Sequence, residues 1–251
     1  MTRLILLAAI AVAASAQPAH DLALKARAAA LSRGDWKKAQ SLINEAIKRW
    51  EREQEAHDAD YGRALDLSGM LAQHRKADLA TVVEPLYRAA LDIFDHADSG
   101  VSESDTAVAL ELEALALKDL GRPLDAAPLK ERALRIRTGI IRDVAAPSAS
   151  PPHAPTPSRI GAGVKPPAVI SKQEPEYNNL ARLVKIQGTV VLGLVVNTDG
   201  MPQDFRLLRS VGFGLDEEAV RVVKAWRFRP GFRDETAVAV QVTIEVNYRL
   251  L

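Results

Sequence analysis

The chain has no cysteine, which excludes disulfides, a thiolate nucleophile, cysteine-ligated zinc, iron–sulfur clusters and a lipid on an N-terminal cysteine. Excess charge of one sign is missing too. Thirty-three Lys and Arg stand against 32 Asp and Glu in 251 residues, so there is no field to collect nucleic acid or an anionic membrane, and nucleic acid is not expected as a partner. All five histidines, His20, His57, His74, His96 and His153, lie upstream of residue 154, so no His-based nucleophile and base pair can form beyond it. No glycine-rich phosphate loop follows a strand, and no acids or bases converge on one segment. These absences predict a protein that is not an enzyme and needs no cofactor. At 47% hydrophobic residues, the chain is still rich enough to bury cores in one large domain or two ordinary ones.

Long apolar runs are confined to the start. After Arg3, the stretch from Leu4 to Ala14 is uninterrupted, and Ala14-Ser15-Ala16 supplies the small residues a signal peptidase reads. Cleavage between Ala16 and Gln17 is expected, with export to the periplasm. Crossing a bilayer takes about 20 apolar residues, roughly twice this run, so a retained inner-membrane anchor is the alternative.

From Asp21 to Asp143 the residues are helix formers with apolar positions at helical spacing, and six helices fit. Pro85-Leu86-Tyr87-Arg88-Ala89-Ala90-Leu91-Asp92-Ile93 realigns 43 residues later as Pro128-Leu129-Lys130-Glu131-Arg132-Ala133-Leu134-Arg135-Ile136. Ser41 to Ile47 is a fainter copy. Three helix pairs follow, turning near Gly34-Asp35, His74-Arg75-Lys76 and Gly121-Arg122-Pro123. Ala46, Ala90 and Ala133 would let neighbouring helices approach closely. This region resembles tetratricopeptide repeats, especially the longer units of kinesin light chains. The resemblance implies a second surface that holds another protein, with a helical spacer as the plainer reading. His57-Asp58-Ala59-Asp60 has metal-ligand residue types, but too few ligands for a site, and no metal is expected.

Between Val144 and Pro167 lie seven of the 14 prolines. That density predicts an extended spacer. The division expected is a signal peptide over 1–16, helical repeats over 17–143, a Pro-rich linker over 144–166 and a C-terminal domain over 167–251, the two domains folding separately.

Beyond Pro167 the period changes to two. Gly188 to Val196 reads as a strand and Asn197-Thr198-Asp199-Gly200 as a hairpin turn. Asp216 is placed to cap a helix whose Ala219, Val222, Val223 and Trp226 make one apolar face. In the last strand Val238, Val240, Val242, Ile244, Val246 and Tyr248 alternate with Ala239, Gln241, Thr243, Glu245 and Asn247. Trp226 and Phe228 are expected in the core, with Arg227 and Arg229 in solvent.

Pro175-Glu176-Tyr177, Ala181-Arg182, Gln187-Gly188-Thr189-Val190, Asp199-Gly200, Leu215-Asp216-Glu217-Glu218-Ala219-Val220 and Ala225-Trp226-Arg227-Phe228-Arg229-Pro230-Gly231, together with the alternating strand, resemble the C-terminal domain of the TonB family. Asn178 departs from the proline usual after the tyrosine. The resemblance covers about the last 85 residues. It implies an α+β domain with a small antiparallel sheet that takes the Ton box of an outer-membrane transporter by strand addition. It points to Val238, Ala239, Val240, Gln241, Val242, Thr243, Ile244, Glu245, Val246, Asn247 and Tyr248 as the peptide-binding strand, and to Gln187 as a polar contact. A strand-exchanged homodimer is the competing occupant of that edge. The resulting expectation is a non-enzymatic periplasmic adaptor. Its alternative is an anchored energy transducer whose N-terminal segment stays uncleaved.

Overall fold

The computed structural model describes residues 19–33, 35–53, 58–97, 100–144, 156–161 and 163–250. The Ala16–Gln17 cleavage site lies outside them. No helix among the described residues is long and apolar enough to cross a membrane.

The chain divides into two compact units, Met1–Val101 and Ser102–Leu251. The first holds helices α1 (Ala19–Arg33), α2 (Trp36–Glu53), α3 (Ala59–His74) and α4 (Glu84–His96), with a π-helical turn at Leu79–Val83 leading into α4. Helix α1 buries Ala19, Leu22, Ala26 and Ala30, and α2 buries Ala39, Ile43, Ala46 and Trp50, each set three or four residues apart. That spacing lays both stripes along single helix faces, so the two helices close on each other. Asp58 starts α3 by accepting from the backbone N–H groups of Asp60 and Tyr61, both at 3.0 Å. Pro85 sits in the first turn of α4, where its missing N–H costs nothing.

Close contact between α3 and α4 depends on two glycines two turns apart. A Cβ on Gly62 would lie 2.5 Å from the Phe94 ring, and one on Gly69 would lie 2.5 Å from the Tyr87 ring. The rings therefore press onto bare backbone, and Tyr87 donates its hydroxyl to Gln73 Oε1 at 2.8 Å.

The second unit opens with a helix pair, α5 (Glu103–Asp119) and α6 (Pro123–Val144). Ser102 and Asp105 form a reciprocal capping box at the start of α5. Strands and helices follow as β1 (Val164–Lys165), β2 (Ala168–Ser171), α7 (Asn179–Leu183), β3 (Gly188–Val196), β4 (Pro202–Arg209), α8 (Leu215–Ala225), β5 (Arg227–Arg229), β6 (Gly231–Arg233), β7 (Thr236–Val238) and β8 (Val240–Tyr248). The main sheet is antiparallel with order β4-β3-β8, flanked by a β2-β5 pair and a β1-β6-β7 sheet. This is the expected combination of helical pairs and an α+β domain.

The unit boundary falls well ahead of the proline-rich segment at which the sequence suggests a division, and the third helix pair belongs with the sheet. The described end of that segment also joins the fold. Val164 is buried and pairs with Arg233, and Ser158 bridges to Val240. A buried ion network ties this helix pair to the sheet domain. Arg137 of α6 is fully buried and donates Nε and Nη2 to Glu111 of α5, each at 2.9 Å, and Nη1 to Glu217 of α8 at 2.6 Å. Glu111 also accepts the N–H of Phe213 at 2.7 Å. Burial lifts the Glu111 carboxyl above its ordinary value, while its hydrogen bonds and charge contact with Arg137 pull it back. Helix α6 packs against β4 and α8, so the pair is fastened to the sheet domain by charge and by contact.

Candidate functional site

Strand β8 pairs along its whole length with β3, from Val196 opposite Val240 to Gly188 opposite Tyr248. Its other side is an edge of the sheet. The alternation expected from the sequence holds: Val240, Val246 and Tyr248 are buried, Val242 and Ile244 half-buried, and Gln241, Thr243, Glu245 and Asn247 exposed. Tyr248 anchors the strand by donating its hydroxyl to the Leu215 carbonyl at 2.9 Å, with the Tyr177 ring edge-on to it at 6.0 Å. Burial pushes the Tyr248 phenol well above its usual value.

Which main-chain groups face outward follows from one contact. Gln241 donates its N–H to the Ser158 carbonyl at 2.9 Å, and Ala239 accepts from Ser158 N–H at 2.8 Å. These groups point away from β3, and the two-residue period of the ladder aims those of Thr243, Glu245 and Asn247 the same way. Among the described residues no hydrogen bond occupies the outward groups of these three.

Two residues of the expected peptide-binding strand stand elsewhere. Val238 belongs to β7 and pairs with Gly231, and Ala239 lies between the strands with its carbonyl engaged by Ser158. Gly231, opposite Val238, lies tight against the start of β8: a Cβ there would come within 2.4 Å of Val240. Gln187 does meet the strand: its Oε1 accepts from Leu250 N–H at 3.1 Å, just past the far end of β8.

The surrounding turns hold the sheet in place. Gly200 has φ of +77°, and a Cβ there would lie 1.8 Å from the Phe228 carbonyl oxygen, so the β3–β4 turn needs glycine for both conformation and room. Asn178 caps α7 by accepting from Ala181 N–H at 2.9 Å and ties it to the α8 approach by donating to the Phe213 carbonyl at 2.7 Å. Asp216, expected as a helix cap, is instead fully buried inside the first turn of α8, where Gly214 is the N-cap residue. Its carboxylate accepts from Ser210 Oγ at 2.5 Å and from the N–H groups of Val211 and Gly212 at 2.9 and 3.2 Å. It therefore braces the β4–α8 loop. Trp226 and Phe228 are buried, and Arg227 and Arg229 are exposed, as expected.

In the first unit His20, Asp58 and Asp60 bring three ligand-type atoms within 4.8 Å of one another. His20 is the partner that the run His57-Asp58-Ala59-Asp60 could not reveal; His57 itself lies outside the described residues. Each group has a structural role: Asp58 caps α3, Asp60 pairs with Arg63 at 2.6 Å, and His20 lies edge-on to Trp50.

An α+β domain with a three-stranded antiparallel sheet edged by its last long strand is the class of module these features define. Residues 173–250 match the family model described as Gram-negative bacterial TonB protein C-terminal, so the chain carries a TonB family C-terminal domain. The chain is 32% identical over 106 residues to Protein TonB of Vibrio cholerae, covering 39% of this chain and 43% of that protein. It is 35% identical over 77 residues to Protein tonB2 of Pseudomonas aeruginosa, covering 30% and 28%. It thus spans less than half the length of these relatives. The solution structure of the Pseudomonas aeruginosa TonB C-terminal domain aligns over 37% of this chain and 93% of that one, at 25% identity and a TM-score of 0.30.

Proposed function

We propose that the chain is a non-enzymatic, TonB-like protein of the periplasm whose C-terminal sheet receives an extended, Ton box-like peptide of an outer-membrane transporter. The observation that carries this reading is the outer edge of β8, where the outward main-chain groups of Thr243, Glu245 and Asn247 are aimed away from β3 within a TonB family domain. Main-chain bonds from an added strand supply affinity, and alternate side chains set register. Gln187, beside the end of β8, is a polar contact for the far end of that strand. The helix pairs form a second protein-binding surface. A second copy exchanging strands is the competing occupant of the edge.

Titration of the full chain with a synthetic Ton box peptide, in the wild type and in Thr243→Pro, tests this. Proline at an outward N–H leaves the β3 ladder intact and removes one edge donor. The expected result is saturable binding that weakens at least tenfold in Thr243→Pro while the unfolding midpoint hardly moves. Equal binding by both proteins contradicts strand addition at β8.

The curated relatives, both TonB proteins, favour one alternative: an energy transducer whose N-terminal segment stays uncleaved in the inner membrane. Intact mass of the exported protein separates the two, since cleavage after Ala16 leaves a freed chain that transmits no tension.

A further inference from the structure

The N-terminal end of the β8 edge is already bridged by one residue of the chain's own, Ser158. Ser158 pairs with Val240 in parallel, through its N–H to the Ala239 carbonyl at 2.8 Å and its carbonyl to Gln241 N–H at 2.9 Å. Its hydroxyl is held as well, by Arg233 Nη2 at 3.2 Å. Six residues later Val164 enters β1, which pairs with β6, so the segment is tethered beside the edge it occupies. A short tether keeps its local concentration high, which favours this intramolecular bridge over any competitor for the same two bonds. Beyond Gln241 N–H the contact stops, and the next outward groups belong to Thr243, Glu245 and Asn247.

The inner-face side chains along that remaining stretch are unevenly covered. Val240 and Val246 are buried, whereas Val242 and Ile244 between them are only half-buried. A strand laid on the edge would place its own alternate side chains beside them, and apolar residues there would complete their burial.

We propose that Ser158 is a register-setting clip: it occupies the Ala239–Gln241 step of the edge, so that an incoming strand pairs only from the Gln241 carbonyl to Asn247. Such a strand carries apolar residues at alternate positions, over Val242 and Ile244, and polar ones between. The proposal rests on the receiving-edge reading above and assigns it a start point and a pattern.

Amide hydrogen exchange on the full chain reads the clip without any peptide. In the wild type Gln241 N–H exchanges slowly, while those of Thr243, Glu245 and Asn247 exchange fast. In Ser158→Pro, and in a variant with residues 156–159 replaced by four glycines, Gln241 exchange rises about tenfold or more. An octapeptide of alternating valine and serine, flanked by lysines, then protects Thr243, Glu245 and Asn247 in the wild type, extends protection to Gln241 in the variants, and binds them about tenfold tighter, as two freed main-chain bonds allow. A Gln241 amide as fast as Thr243 in the free wild type overturns the clip alone. Peptide bound at equal affinity and register in wild type and variants overturns its role in register. Peptide that protects no β8 amide in any of the proteins overturns the receiving edge and the register proposal together.

Discussion

The second and third helix pairs share a sequence repeat, and one position within it separates them. Ala90 and Ala133 are both buried at the matching place. Four residues on, the second pair has Phe94 and the third has Arg137. Phe94 lies against Gly62 and is satisfied by its own helical partner. Arg137 is equally buried, yet its guanidinium requires anions, which it finds in Glu111 of its partner helix and in Glu217 of the sheet domain. The same helical scaffold therefore closes on itself in one unit and fastens to another fold in the other. Leu91 and Leu134 differ in the same sense, at 9% and 46% exposed. A charged residue at a repeat's core position marks where a helical pair has been given a different neighbour.

The largest effect is expected at that position. Arg137→Met leaves the buried Glu111 carboxylate without its cation and should cost about 3–5 kcal/mol in urea unfolding. Adding Glu111→Gln, which keeps an oxygen for Phe213 N–H, should recover about 2 kcal/mol of that loss. An additive pair would break the comparison. Next in size, Gly62→Ala and Gly69→Ala push against the Phe94 and Tyr87 rings and should each cost about 1–3 kcal/mol by overpacking. If either alanine is neutral, the second pair is not closed by ring-on-backbone contact.

A smaller effect has a sign set by pH. Burial raises the Asp216 carboxyl above its ordinary value, against the bonds from Ser210 and Val211. The folded state thus holds this proton more tightly than the unfolded chain. The resulting stability is fully present below about pH 4, the ordinary aspartate range, and is lost as pH rises through the raised folded value. Asparagine cannot titrate. The cost of Asp216→Asn should therefore be greater at pH 4.5 than at pH 7.5 in urea unfolding, and a cost that grows with pH would contradict the burial argument. Smallest in stability is Thr243→Pro, within about 0.5 kcal/mol, since an outward edge N–H makes no ladder bond.

Much of this was legible in the residues. Helical spacing and the 43-residue repeat located all three helix pairs, and Asn197 to Gly200 and the alternation from Val240 to Tyr248 located the β3–β4 turn and the last strand. The break at Ala239 was hidden because Val238 continues the same alternation while pairing with a different strand. Asp216 looked like a cap because caps and buried loop braces use the same residue types near helix starts. Ser158 makes a single-residue bridge, too short to leave any period, and proline-rich surroundings predict only extended chain. The Arg137 network joins residues 26 and 80 positions apart, and its one trace in the sequence is an arginine where the earlier repeat has Phe94.

The most direct test of the edge on β8 is a Ton box peptide carrying a nitroxide at one end, added to the isotope-labelled full chain. Broadening should be strongest at the amides of Thr243, Glu245 and Asn247 and weaker on β4, the opposite edge of the same sheet and about 10 Å farther away. Broadening centred on β4, on the first unit, or on no amide at all at saturating peptide would contradict the account.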